Sequence, residues 1–288
     1  MKVLAVSAPH WVSNKSTATD LTFNSQTPFS LHNALRDAVN EAETNIKSRW
    51  WNSNLKDFQK RNESVLLLEF WEQDKENFEL AFNKINPDIL FIGAMTLSFP
   101  GAIEIAKYAK QKKGENIFIV LGGKHVNETF FKNREGLYSH HVGSPLKLME
   151  ENSIPQIFDL VISGNAEKVI TKIGEIIGGL KKRGGSFSHF FEKTNILKLE
   201  QSEGDWIGGA LFKNKLHYFE SSIKTPINYL TLAHAVGQYN LTKGFKIFNT
   251  DYTIHGYSDT SLGCGFDCFF CSEKSSINGK IRIKSTVP

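Results

Sequence analysis

The chain has 288 residues, of which 40% are hydrophobic and 22% are charged. This length predicts two domains or one large one, and the composition is typical of a globular protein and excludes a largely disordered chain. The 34 Lys and Arg residues exceed the 30 Asp and Glu residues only slightly, which excludes a strongly basic nucleic-acid surface.

No apolar stretch approaches the roughly 20 residues that cross a bilayer. The first apolar run ends at Ser7, Pro9 and His10, whereas a secretory signal needs an apolar segment of about 7–15 residues. We therefore expect an opening β-strand, a cytoplasmic location with reduced thiols, and no membrane partner.

Short apolar runs alternate with longer amphipathic segments over the first part of the chain. The apolar runs predict β-strands at residues 1–6, 65–70, 88–94, 117–121 and 158–162. Amphipathic periodicity predicts helices at residues 29–46, 74–85, 100–113 and 166–180. This alternation predicts an α/β fold with a doubly wound, flavodoxin- or Rossmann-like parallel sheet.

The pattern changes along the rest of the chain. Residues 133–155 predict a loop with one helical turn, and Gly184-Gly185-Ser186 indicates a boundary. Two apolar runs flank Lys213-Asn214-Lys215 and predict a β-hairpin. We therefore predict three parts: a doubly wound domain at 1–183, a linker with a small β element at 184–250, and a separate segment at 251–288.

Ligands of doubly wound sheets bind outside the carboxyl ends of the strands, where the strand order reverses. The candidate binding residues predicted at these ends are Ser7, Thr96, Ser98, Gly122, Gly123, His125, Gly164 and Glu167. Paired glycines would let a bulky ligand lie against the backbone. The alternatives are a plain tight turn at Gly122-Gly123 and an ordinary loop histidine at His125.

All the cysteines of the chain fall in one short segment, at Cys264, Cys268 and Cys271. An odd number at this close spacing indicates a metal site and not a disulfide framework. Three thiolates on one iron–sulfur cube leave one iron without a protein ligand, and such an open position suits catalysis. Zinc is an alternative, with His255 as the fourth ligand, although structural zinc sites commonly show two short-spaced pairs.

The cysteine segment resembles the radical S-adenosylmethionine enzymes. The shared features are Cys-x-x-x-Cys-x-x-Cys, the aromatic Phe270 before the last cysteine, and the preceding Thr260-Ser261-Leu262-Gly263. The segment ahead of it resembles the cobalamin-binding domain of the cobalamin-dependent branch. Its matching stretches are Pro87 to Gly93 with Thr96 and Ser98, Gly122 to His125, and Phe158 to Gly164 with Glu167.

The resemblance covers about residues 1–180 and 250–285, and it implies a set of cofactors. Cys264, Cys268 and Cys271 would bind a 4Fe–4S cluster whose fourth iron chelates S-adenosylmethionine, and Phe270 would contribute to the adenine environment. The predicted sheet would bind cobalamin. Reduction of S-adenosylmethionine would release a 5′-deoxyadenosyl radical, and methyl transfer to a small-molecule or natural-product substrate would follow, with an external electron donor.

Two features depart from the pattern of the family. The Asp-x-His-x-x-Gly string that supplies a lower cobalt ligand is absent, and His140-His141 lacks the preceding Asp. We therefore expect no protein histidine on cobalt. The sequence has only 17 residues after Cys271, whereas a partial (β/α) barrel needs about 150–200 residues. We therefore expect the start of a truncated barrel and no turnover by this chain alone. The alternatives are a fragment, one product of a split gene with a separate barrel-containing chain as partner, and a degenerate relic.

Three functional hypotheses follow. The first is the amino-terminal portion of a cobalamin-dependent radical S-adenosylmethionine enzyme, with a methyltransferase as the expected activity. The second is a cobalamin-binding module or accessory subunit whose cluster loop is vestigial. The third is a flavodoxin-like nucleotide binder with a zinc knob, although neither Gly122-Gly123 nor Gly178-Gly179 forms the Gly-x-Gly-x-x-Gly pattern of nucleotide binding.

Overall fold

The computed structural model describes residues 1–11, 63–68, 70–133, 135–165 and 167–224, together with three short strands at 239–240, 261–262 and 282–283. The strands, in chain order, are β1 (Val3–Ser7), β2 (Glu63–Leu67), β3 (Ile89–Gly93), β4 (Phe118–Gly122), β5 (Phe130–Lys132), β6 (Tyr138–His140), β7 (Leu160–Gly164), β8 (Trp206–Phe212), β9 (Lys215–Glu220), β10 (Tyr239–Asn240), β11 (Ser261–Leu262) and β12 (Arg282–Ile283).

The largest sheet of the described chain has eight strands in the order β10-β2-β1-β3-β4-β7-β8-β9. Its first six strands are parallel neighbours, and β8 and β9 add an antiparallel hairpin beside β7. The α/β prediction with a mostly parallel sheet is thereby confirmed. Since β2 and β3 lie on opposite sides of β1, the strand order reverses between β1 and β3.

The helices are α1 (Trp71–Ile85), α2 (Phe99–Lys113), α3 (Lys124–Thr129), α4 (Pro145–Glu150), α5 (Glu167–Lys182) and α6 (Lys193–Glu200). Local sequence explains several of their ends. Pro100 lies in the first turn of α2, where a missing backbone N–H costs no hydrogen bond. Asn86 ends α1 in the left-handed conformation at φ 51°, and its backbone N–H donates to the Phe82 carbonyl.

Helices pack on both faces of the sheet, and strand alternation assigns the core residues to two groups. Leu4, Val6 and Leu90 point to the face covered by α1, α2, α3 and α4. Val3 and Ala5 point to the opposite face of the sheet, where they pack with side chains of β4 and β7 under α5 and α6. Because both faces are buried, the parallel strands need apolar side chains at nearly every position. This requirement accounts for the continuous apolar runs in the sequence.

The predicted strands are all present, with ends that differ by a few residues. The predicted helix at 29–46 lies outside the described residues. Residues 133–155, predicted as a loop with a helical turn, contain β6 and α4, and β6 pairs with β5 as a two-stranded ribbon. The hairpin prediction is confirmed, with Lys213 and Asn214 at its turn and Lys215 already in β9. No helix in the described part of the chain is long and apolar enough to cross a membrane.

The segment after α5, which the sequence assigns to a linker, continues the same layered structure. β8 pairs with β7 from Val161 to Gly164 and so extends the main sheet. Phe190 and Leu199 are buried in the group of side chains that α5 covers.

Candidate functional site

The carboxyl ends of the parallel strands meet along one edge of the sheet, which we name the carboxyl edge. In register, Ser7 of β1 stands beside Gly93 of β3, and Gly93 stands beside Gly122 of β4. Thr96 lies in the turn that follows β3, and His125 lies in the first turn of α3, which follows β4. The strand order therefore brings the predicted candidates of three adjacent strands to one edge.

His125 is the most tightly held side chain of this edge. It is only 4% exposed, and its ring stacks on Phe99 with centroids 4.1 Å apart. Nε2 lies 3.1 Å from the Gly143 carbonyl oxygen, and Nδ1 lies 3.3 Å from Thr96 Oγ1. Because both ring nitrogens contact protein atoms, His125 connects α3 to the turn at Thr96 and to the loop at Gly143, and it has no free nitrogen for an outside ligand.

Burial lowers the pKa of His125 below its usual range, since the charged ring would lose solvation. The Gly143 carbonyl and the Glu128 carboxylate act in the opposite direction, and His141 adds to the lowering. Because the pKa of His125 is lowered, the effect of burial is larger than the opposite effects of Gly143 and Glu128. His125 is therefore mainly neutral at pH 7.

Thr96 is exposed, and its hydroxyl connects two of the groups at this edge. Thr96 Oγ1 donates to Glu128 Oε2 at 3.1 Å and contacts His125 Nδ1 on its other side. The chain His125–Thr96–Glu128 thus places one hydroxyl between a ring nitrogen and a carboxylate, in contact with solvent.

Ser98 and Ser7 differ in what their hydroxyls contact. Ser98 is buried, and its Oγ accepts the Met95 N–H at 2.9 Å and also donates to the Met95 carbonyl. It therefore shapes the turn after β3. Ser7 is completely buried, and its Oγ has no hydrogen-bond partner in the described part of the chain. A buried hydroxyl without a partner is unfavourable, so Ser7 Oγ is an unsatisfied polar atom at this edge.

The paired glycines after β4 have different roles. Gly123 has φ +98°, and a Cβ there would lie 2.7 Å from both the backbone N and O of Ala94. Its backbone is thus pressed against the loop after β3, and the His125 N–H donates to the Ala94 carbonyl at 3.0 Å. Among the residues that the structure describes, a Cβ at Gly122 would contact the Ile162 carbonyl at an ordinary 3.5 Å. The structure favours a close contact between two loops as the role of Gly123.

The end of β7 is also fastened to its neighbours. Gly164 has φ +97°, and a Cβ there would collide with the Asp205 carbonyl. The Gly164 N–H donates to Asn127 Oδ1 at 2.9 Å, which ties α3 to β7. Glu167 is the first residue of α5.

Sequence reasoning missed three partners of His125: Glu128, Gly143 and Phe99. Glu128 could have been found, because it lies one helical turn after His125. Gly143 could not, since its contact depends on how the β5–β6 ribbon folds back. The predicted metal ligands Cys264, Cys268 and Cys271, together with Phe270, lie outside the described residues. Among the described residues, no group of three His, Cys, Asp or Glu side chains could hold a metal ion.

Comparison with protein-family models gave no match for this chain, and comparison with the curated proteins gave none either.

Proposed function

We propose that this chain is the amino-terminal portion of a cobalamin-dependent radical S-adenosylmethionine enzyme that carries out radical methyl transfer. The observation that carries the proposal is the cysteine triplet Cys264, Cys268 and Cys271, placed after a doubly wound sheet. The combination matters because a doubly wound sheet alone is compatible with many functions.

The chemistry of the donor set supports the cluster. Thiolates are the usual ligands of iron–sulfur clusters, and three of them leave one iron free for a substrate or cosubstrate. Phe266, Phe269 and Phe270 flank the cysteines. Aromatic side chains at these positions would exclude water and offer a face for a planar ring such as adenine.

The carboxyl edge supports the cobalamin site. The row Ser7, Gly93 and Gly122 carries almost no side-chain bulk, and Ser7 Oγ lacks a partner among the described residues. The missing side chains at Gly93 and Gly122 favour a close approach of a large ligand to the backbone, and the buried Ser7 hydroxyl beside them still needs a hydrogen-bond partner. His125 holds Thr96 in place and does not bind cobalt in this proposal, since both its ring nitrogens are occupied.

When bound, the cluster supplies the electron that cleaves S-adenosylmethionine, and cobalamin supplies the methyl group. The part of this chain is to bind both groups, to orient them and to exclude water. The three thiolates hold the cluster. Ser7 and Thr96 offer polar contacts at the carboxyl edge, while Ser98, Gly123 and Gly164 fix the loops around it.

The test is anaerobic reconstitution of the full chain with iron and sulfide, followed by titration with hydroxocobalamin. We expect about four iron atoms per chain and a saturable change in corrinoid absorbance. Cys268→Ala should lose the iron, and Ser272→Ala, a matched change beside the cysteines, should retain it.

Each other outcome contradicts the proposal. Binding of neither iron nor cobalamin overturns it entirely. Cobalamin binding that is unaffected by Cys268→Ala, without labile iron, favours a cobalamin-binding module or accessory subunit. One zinc per chain without corrinoid binding favours a nucleotide binder with a zinc knob.

A further inference from the structure

The Thr96 hydroxyl has two fixed neighbours, and they decide which of its atoms faces outward. On one side is the Glu128 carboxylate at 3.1 Å, and on the other is His125 Nδ1 at 3.3 Å. His125 Nε2 faces the Gly143 carbonyl at 3.1 Å. Because a carbonyl oxygen only accepts, Nε2 carries a proton in every arrangement of this chain.

The direction of the hydroxyl proton follows from counting protons. The three contacts need three hydrogens: one on Nε2, one between His125 and Thr96, and one between Thr96 and Glu128. A neutral His125 and an ionised Glu128 supply only two, of which one is the hydroxyl hydrogen of Thr96. That hydrogen points to the carboxylate, because Thr96 Oγ1 donates to Glu128 Oε2, and the contact between Oγ1 and a neutral Nδ1 then holds no hydrogen.

The hydroxyl hydrogen has the same direction when His125 takes up a proton. In an imidazolium, Nδ1 donates to Thr96, and Thr96 donates to Glu128. In both states the hydroxyl hydrogen is used inside the chain, and a lone pair of Thr96 Oγ1 faces solvent. The titratable groups near His125 are Glu128 and His141, and neither changes the direction of the Thr96 hydroxyl hydrogen.

We propose that Thr96 is a specificity-determining residue of the carboxyl edge, which accepts a hydrogen bond from a ligand's N–H donor, such as a primary carboxamide, and disfavours a carboxylate. The neighbouring Glu128 charge adds to this preference, because it repels an anion a few ångströms away. This inference rests on the proposed cobalamin site, since the corrin ring of cobalamin carries several primary carboxamides.

The experiment compares hydroxocobalamin with its monocarboxylic acids, in each of which one peripheral carboxamide is hydrolysed. We expect at least one acid to bind the full chain about tenfold more weakly than hydroxocobalamin. Thr96→Val should weaken hydroxocobalamin binding about three- to tenfold and remove most of the discrimination. Thr96→Ser keeps the hydroxyl and should keep both properties, and Glu128→Gln should improve binding of that acid.

A Thr96→Val variant that binds hydroxocobalamin as tightly as the unmodified chain and still discriminates overturns the inference, while the proposed function stands. Failure of the unmodified chain to bind hydroxocobalamin overturns the proposed function. A second measurement tests the inference without any ligand. The His125 Nδ1 resonance in a nitrogen-15 NMR spectrum should move in Thr96→Val and stay in Thr96→Ser, whereas an unmoved Nδ1 in both variants refutes the contact between Thr96 Oγ1 and Nδ1.

Discussion

Gly123 should be among the glycines that the carboxyl edge tolerates least to change, and Gly123→Ala is the perturbation that tests this. Its φ of +98° and ψ of −175° belong to a region that only glycine adopts readily. The added Cβ would also lie 2.7 Å from two backbone atoms of Ala94. A backbone atom cannot rotate away as the end of a side chain can, so the loops after β3 and β4 must separate.

The two effects give the magnitude. Forcing an alanine into this conformation costs about 1–3 kcal/mol, and an overpacked contact costs about 1–3 kcal/mol. We therefore expect Gly123→Ala to lower the free energy of unfolding by about 2–6 kcal/mol. The adjacent Gly122→Ala is the matched control: its Cβ would meet its nearest atom at an ordinary 3.5 Å, so its loss should stay under about 1 kcal/mol.

Urea denaturation of the full chain, followed by far-UV circular dichroism, measures both variants. Because the same contact holds the turn that carries Thr96 and the start of α3 that carries His125, Gly123→Ala should also weaken hydroxocobalamin binding more than Gly122→Ala does. Equal losses of stability in the two variants would refute the argument that the Ala94 contact requires glycine.

Three further predictions concern charge, protonation and turn geometry. Lys110 Nζ lies 2.8 Å from both Asp159 oxygens, and burial raises the Asp159 pKa. Lys110→Met should therefore lower the free energy of unfolding by about 2–4 kcal/mol. The loss should be larger at pH 7 than at pH 5. Equal losses in urea titrations at the two pH values contradict this prediction. Since burial lowers the His125 pKa, the unfolded chain binds more protons, and stability should fall as the pH drops below about 6.5; a His125→Gln variant with an unchanged pH dependence refutes this. Lys213 and Asn214 have φ of +52° and +58°, which indicates a type I′ turn, in which Asn-Gly is preferred. The double variant Lys213→Asn, Asn214→Gly should therefore be more stable by about 0.5–1 kcal/mol in a thermal melt. A lower melting temperature counts against a type I′ turn.

Local features of the chain were predictable from the sequence, and long-range pairings were not. Apolar runs such as Ile89–Gly93 indicate buried strands because both faces of a parallel sheet are covered. The Lys213-Asn214 turn lies between two apolar runs and joins neighbouring strands. The addition of β8 to β7 has no such local signal, since Val161 and its partner Gly209 are distant in the chain.

The candidate site shows the same division. Strand ends predict which residues reach the carboxyl edge, as for Ser7, Thr96 and His125, because parallel strands end on the same side. They do not predict the contact between His125 Nε2 and the Gly143 carbonyl. This contact depends on the β5–β6 ribbon, and its three-residue strands are too short to show a pattern in the sequence. The binding role of His125 therefore stays a prediction, and the structure adds its contacts with Thr96 and Gly143, which the sequence did not indicate.

The proposed enzyme requires the two cofactor sites to act together, and this can be measured as a coupling free energy. β10 pairs in parallel with β2, so Asn240 lies toward the carboxyl edge of the sheet, and Cys264 follows it by 24 positions in the sequence. We expect Thr96→Val and Cys268→Ala to affect hydroxocobalamin affinity non-additively in iron-reconstituted protein, by more than about 0.5 kcal/mol, because groups that share one site couple. Additive effects would mean that the cysteines and the carboxyl edge act separately, which favours an accessory cobalamin-binding module over the radical enzyme.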